Sequence, residues 1–259
     1  MYSFLQSILG DKKGGDIFKC FGAWHFFYIF LAAAAAAVFC LLLRKKGQNA
    51  KDRAADALIC IAFGLYMLDF FIMPLAYGEI DIEKLPFHAC TATCVMCFLS
   101  RRAGFLKNLR VHFALLGFIS NFVYLVYPAG VMWHAVHPLC YRVVQTLVFH
   151  AVMTVYGLVT LVFDEKRLSF GTLYKDAAVL AGMILWALLG NTVYNGPRFY
   201  NWFFVVGDPF GMIDGSIAPF IMPFLDFAVF FAVEVLIVSA FVFARKSAKG
   251  RIKNDRKRE

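Results

Sequence analysis

A chain of 259 residues that is 61% hydrophobic and only 17% charged carries more apolar side chain than one water-soluble core can hide, so a soluble enzyme or regulator is excluded. The formal charge of +9 does not point to nucleic acid, because eight of the basic residues crowd into 245–258, directly after an apolar run. Beside a membrane their expected partner is anionic lipid head groups, and no nucleic-acid partner is expected.

Apolar stretches predict spans at 21–43, 54–77, 86–100, 111–131, 139–163, 176–196 and 217–244. A span takes ~20 apolar residues with all backbone hydrogen bonds closed, which at this length means helices. The expected architecture is therefore all-α: a polytopic membrane protein whose residues 1–259 form a single seven-helix transmembrane domain, with no second domain. With linkers assigned alternately to two sides, 20 of the 26 Lys and Arg fall in 44–53, 101–110, 166–175 and 245–258. Five fall opposite (Lys12, Lys13, Lys19, Lys84, Arg198), and Arg142 lies inside a span. That bias places the N-terminus outside and the tail 245–259 in the cytoplasm, in a multi-pass protein of the cell membrane.

Ahead of the first span, the short apolar run 4–9 precedes Asp11, Lys12 and Lys13, the reverse of a signal peptide, so the first span is expected to be retained. Cysteines at 20, 40, 60, 90, 94, 97 and 140 lie mostly within spans and show no disulfide or metal spacing. No internal repeat of the kind that builds many transporters is evident. The outer linker 197–216 holds Arg198, Tyr200, Asn201, Trp202, Phe203, Phe204, Asp208 and Pro209, an aromatic set expected to fold back into the interface as a lid.

Polar groups at depth mark function in membrane proteins, because a charge at the bilayer centre costs ~3 kcal/mol or more without a cavity or partner. Counting from the charged inner ends at ~1.5 Å per residue puts Cys90 at ~16 Å, His88 at ~20 Å, His150 at ~21 Å, and Asp69 and Asn191 at ~24 Å. His25 and Asp226 come at ~28 Å and Arg142 at ~33 Å. The third span is too short to cross, so its outer end is expected to sink into the bundle. These groups share the middle and outer layer, where one outward-opening polar cavity is the simplest cause. Within it Cys90 and His150 are the pair with chemistry: an imidazole that removes a thiol proton yields a thiolate able to attack a carbonyl. Against that, an isolated cysteine in a span is commonly a small packing residue, as Cys94 and Cys97 illustrate, and a lone histidine commonly makes an interhelical hydrogen bond.

The elements Phe21-Gly22-x-x-His25, Leu85-Pro86-x-His88-x-Cys90, the segment from Gln145 to His150, and Asn201-Trp202-Phe203-Phe204 followed by Pro209, Pro219 and Pro223 occur in this order. In them the chain resembles the YwaF-like bacterial integral membrane proteins over nearly its whole length. That family is similar to a vertebrate multi-pass acyltransferase that works through a cysteine and a histidine, moving acyl chains onto lyso ether phospholipids. The resemblance implies Cys90 as the acyl-accepting nucleophile and His150 as its base, with His25 and His88 only as site-lining residues; Asp69, Asn191 and Asp226 join them as site-lining candidates by depth. It implies a membrane phospholipid or lysophospholipid as partner, with no cofactor and no metal. Two departures stand out: Thr91 follows the cysteine where the family carries Asp, and Asp208 replaces a basic residue before the loop proline. Arg142 and Arg198 are then the candidates for a lipid phosphate, with Gln145, Asn201 and Trp202 as further substrate-binding candidates.

Rival readings remain open. A retinal protein needs a lysine in the last span, and 217–244 has none. A zinc-dependent lipid hydrolase needs a histidine pair late in the chain, yet no histidine follows His150; His134 and His137 are left as an opportunistic outer metal site. A transporter or lipid-binding receptor would use Asp69, Arg142, Asp226 and Glu234 without turnover.

Overall fold

A computed structural model describes residues 9–11, 15–78, 82–131, 135–164, 168–194, 201–209 and 211–255. Among the described residues there are seven α-helices and no strand: α1 Ala23–Leu43, α2 Gln48–Tyr77, α3 Ala89–Ser100, α4 Arg110–Val126, α5 Tyr141–Phe163, α6 Leu173–Val193 and α7 Ala218–Asp255. Five of them (α1, α2, α5, α6 and α7) are long and apolar enough to cross a membrane. The chain is a multi-pass membrane protein.

Helix ends depart from the predicted spans where charge and proline act. α2 begins at Gln48, six residues before the predicted start, and α7 runs to Asp255, through the basic tail. Lys, Arg, Asp and Glu are acceptable helix formers, so a helix does not stop where its apolar run stops. α4 ends at Val126, five residues early, because Tyr127 precedes Pro128 and leaves the helical region at φ −136°, ψ 84°. α3 has 12 residues and α4 has 17. At ~1.5 Å per residue they reach ~18 and ~26 Å, short of a ~30 Å hydrocarbon core.

The chain divides into two compact units, 1–164 and 165–259. In the first, α5 is the hub, packed against α4, α2 and α1, while α3 lies against α4 and α2. The sequence of α5 explains this: Val143, Leu147, Phe149, Met153, Tyr156, Val159 and Leu161 bury side chains all round the helix. α4 and α5 approach closely through Gly157, whose backbone lies against Phe118 and Ala114. α1 buries only the stripe His25, Tyr28 and Ala32 with Leu43, and leaves Phe26, Phe30, Leu41 and Leu42 exposed, as lipid-facing residues are.

In the second unit α6 packs along α7, and the turn Trp202–Phe204 touches both. Phe203 and Phe204 stand at φ +59° and +58°, a left-handed backbone that bulky residues adopt only when other contacts impose it. Asparagine side chains impose it here. Asn191 takes the Trp202 N–H on Oδ1 and gives its amide to the Trp202 and Ala187 carbonyls, at 3.1, 3.1 and 2.8 Å. Asn201 takes the N–H groups of Val206 and Gly207 and donates to the Gly207 carbonyl at 2.7 Å.

Candidate functional site

The motif Leu85-Pro86-x-His88-x-Cys90 forms the approach to α3 rather than the body of a span. His88 is the N-cap residue, in extended conformation and with no side-chain cap, so Cys90 falls in the first helical turn. There the first backbone N–H groups have no partner within the helix, and a helix N-terminus favours negative charge. Cys90 is half-buried, whereas Cys94 and Cys97 are fully buried packing residues. The hydroxyls of Thr91 and Thr93 are spent on backbone carbonyls: Thr91 on Leu85 and His88 at 3.4 and 3.2 Å, Thr93 on Ala89 and Cys90 at 2.6 and 3.1 Å.

His150, buried in α5, is committed at one nitrogen only. Its Nδ1 lies 2.7 Å from the Thr146 carbonyl. A carbonyl accepts and never donates, so Nδ1 carries the proton and Nε2 holds a free lone pair. Among the described residues no group pairs with that buried Nε2. The ring is held by the Tyr124 ring, stacked at 3.8 Å and 12°, and by Phe149 edge-on at 5.0 Å. Tyr124 links the two candidate residues: it stacks on His150, and its hydroxyl lies against Gly130 and within electrostatic reach of Cys90. His88 lies in the same reach of His150.

Lys84 and Asp69 complete the cluster. The Lys84 ammonium sits 3.1 Å from Asp69 Oδ2, and Tyr141 donates to Oδ1 at 2.8 Å. Tyr66 donates to the Lys84 carbonyl at 2.9 Å, fixing the turn Ile82–Lys84 onto α2. From this seat Lys84 is in electrostatic reach of Cys90, His88 and His150. Gln145 donates to the Leu65 carbonyl at 3.1 Å and joins α5 to α2. Arg142 faces Asp11 at 3.9 Å and is in reach of Tyr124.

The remaining candidates fall elsewhere. His25 is wholly buried with both nitrogens engaged: Nδ1 accepts the Phe21 N–H at 2.9 Å, so Nε2 donates to the Leu125 carbonyl at 2.7 Å. It pins α1 to the end of α4. Asn191, Asn201 and Trp202 belong to the second unit, where they build the turn already described. On α7 the Oδ2 of Asp226 is buried with no hydrogen bond from the protein, and Glu234, fully buried, has neither oxygen bonded. Asp208 accepts the N–H groups of Met212 and Ile213, so the position where a basic residue was expected is a backbone cap. Arg198 and His134 lie outside the described residues. Among those described, no group of three metal-ligating side chains occurs.

Lys84 and Tyr124 are the residues sequence reasoning passed over. Lys84 carried a signal, standing immediately before the Leu85-Pro86 motif; Tyr124 carried none, being one aromatic among many.

No curated protein and no solved structure matches this chain. A family model, the TMEM164 family, matches residues 20–244, through α1 to α6 and the apolar length of α7, and the chain belongs to the TMEM164 family.

Proposed function

We propose that this chain is a YwaF-like, thiol-dependent phospholipid acyltransferase of the cell membrane, built as one seven-helix membrane bundle, with the N-terminus outside and the basic tail against anionic lipid in the cytoplasm. The observation that carries the reading is the His150 tautomer: a buried imidazole whose unprotonated Nε2 has no partner among the described residues, stacked on Tyr124, which also interacts electrostatically with Cys90, a half-buried cysteine at a helix start. Nε2 takes the Cys90 proton as sulfur attacks the ester carbonyl of a donor phospholipid. The ester C–O bond breaks, and the leaving lysophospholipid oxygen takes the proton back from His150. That step leaves an acyl-thioester on Cys90. An acceptor hydroxyl then gives its proton to Nε2 and attacks the thioester, and the departing thiolate is reprotonated. Backbone N–H groups of the first α3 turn favour the negative sulfur.

The test is to supply a radiolabelled diacyl phospholipid without acceptor. An acyl-thioester on Cys90, cleaved by neutral hydroxylamine, is the expected outcome. Cys90→Ser should lose turnover, Cys94→Ser and Cys97→Ser should keep it, and His150→Gln should bind lipid without forming the thioester. A Cys90→Ser protein turning over like wild type removes the mechanism.

A second reading, a transporter or lipid-binding receptor, is favoured by Asp226 Oδ2 and both carboxyl oxygens of Glu234, which are buried in an apolar helix with no hydrogen bond among the described residues. Absence of any turnover, with lipid or ion binding that Glu234→Gln abolishes, would favour it.

A further inference from the structure

We propose that Lys84, seated on Asp69 six residues before Cys90, is the phosphate anchor of the lipid substrate, selecting phospholipids and lysophospholipids over neutral glycerolipids. The inference rests on the lipid reading above and names the head-group chemistry that reading leaves open.

An ammonium has three N–H donors, and one is spent on Asp69. Among the described residues no second ion pair of this ammonium occurs. The Lys84 side chain is 24% exposed and Asp69 3%, so the carboxylate holds the lysine from behind while the ammonium keeps an open side. Asp69 is in turn held by Tyr141, and the Lys84 backbone by Tyr66, so two helices, α2 and α5, set the position of this one cation. A compact, strongly hydrated point charge of this kind suits a tetrahedral phosphate, which needs no planar fork. Six residues separate Lys84 from Cys90, and Lys84 acts electrostatically on the thiol and on both histidines, so the cation and the candidate reacting groups share one electrostatic neighbourhood. Of the other cations considered, Arg142 already faces Asp11.

The test uses the full chain carrying Cys90→Ser, purified in a neutral detergent, so that lipid binds without turnover. The probes are a lysophosphatidylcholine and a monoacylglycerol of the same acyl chain, with free glycerophosphocholine as competitor. The expected result is preference for the phosphate-bearing lipid. Lys84→Gln should weaken that lipid about tenfold or more, as loss of a charged hydrogen bond does, and leave the monoacylglycerol unchanged. Lys84→Arg, which keeps the charge, should restore most of the preference, and thermal melts of both variants report on folding. Equal weakening of both lipids by Lys84→Gln makes the residue structural and overturns the proposal. An unchanged preference in Lys84→Gln overturns it too, leaving the lipid reading intact. If free glycerophosphocholine competes as strongly as the lipid, the ligand is a soluble phosphate ester and the lipid assignment fails. Binding of neither lipid by the parent protein removes this proposal and the lipid reading together.

Discussion

The contact between α4 and α5 holds the Tyr124–His150 stack, and it depends on the absence of one methyl group. A Cβ at Gly157 would lie 2.7 Å from Phe118 Cβ, 3.0 Å from Phe118 Cα and 3.1 Å from the Ala114 carbonyl. Two of these are backbone atoms and the third is fixed to backbone, so no side-chain rotation relieves the clash. Restoring ordinary carbon contact, ~3.5–4.0 Å, means parting the helices by about 1 Å. Overpacking of this kind costs about 1–3 kcal/mol. Loosening the ring stack removes about 0.5–1.5 kcal/mol more. Alanine's better helix propensity returns about 1 kcal/mol. Gly157→Ala should therefore destabilise by about 2 kcal/mol, a fall of about 4–8 °C in Tm by the scaling of globular proteins of this size. Reaction of Cys94, Cys97 and Cys140 with a fluorogenic maleimide on heating reports the melt, since all three are fully buried when folded. Gly64→Ala and Gly182→Ala are controls, because a Cβ there meets nothing within 4 Å. A Gly157→Ala protein that melts with wild type, or controls that fall as far, would refute the close-packing account.

Three further outcomes are expected. Gly130→Ala brings a methyl within 2.7 Å of the Tyr124 hydroxyl; it should lower kcat tenfold to a hundredfold, about what a 1 Å misplacement does, with little change in Tm. Equal kcat in the variant would detach Tyr124 from the chemistry. Asn191→Leu leaves the Trp202 N–H and carbonyl buried and unbonded, a loss of about 1–3 kcal/mol for each group. Chymotrypsin should then cut at Trp202–Phe204 at least about tenfold faster than in wild type, and unchanged cutting would mean the turn holds itself. For topology, with Cys20 and Cys60 replaced by Ser, a cysteine introduced at position 214 should react with an impermeant reagent in whole cells and one at 255 should not. The opposite pattern inverts the proposed orientation.

Helix positions were legible in the sequence because long apolar runs are bounded by charge, and each predicted span contains or overlaps a helix. The overruns of α2 and α7 were hidden because the residues that mark a membrane border, Lys51 and Arg53 for instance, also propagate helices. For the site, Cys90 and His150 stood out by residue type and depth, but the tautomer of His150 depends on the carbonyl of Thr146, and no pattern of residue types shows where a carbonyl points. Lys84 was read as border charge because its partner, Asp69, is fifteen residues away on another helix. His25 shared the depth layer yet has both nitrogens taken by backbone groups, one of them 100 residues distant, and depth alone does not distinguish a satisfied histidine from an available one.

That His25 bond also bears on how the protein is made. The acceptor, the Leu125 carbonyl, is 100 residues downstream of a histidine that is fully enclosed in the finished fold. At ~5–20 residues per second, about 5–20 s of synthesis separate the two halves of one hydrogen bond. During that interval α1, apolar enough to enter the bilayer unaided, carries an imidazole N–H whose lasting acceptor has not yet been made. His25 is the third residue of α1, so interfacial water can stand in for that acceptor, and the water is displaced only when the end of α4 arrives to enclose the ring.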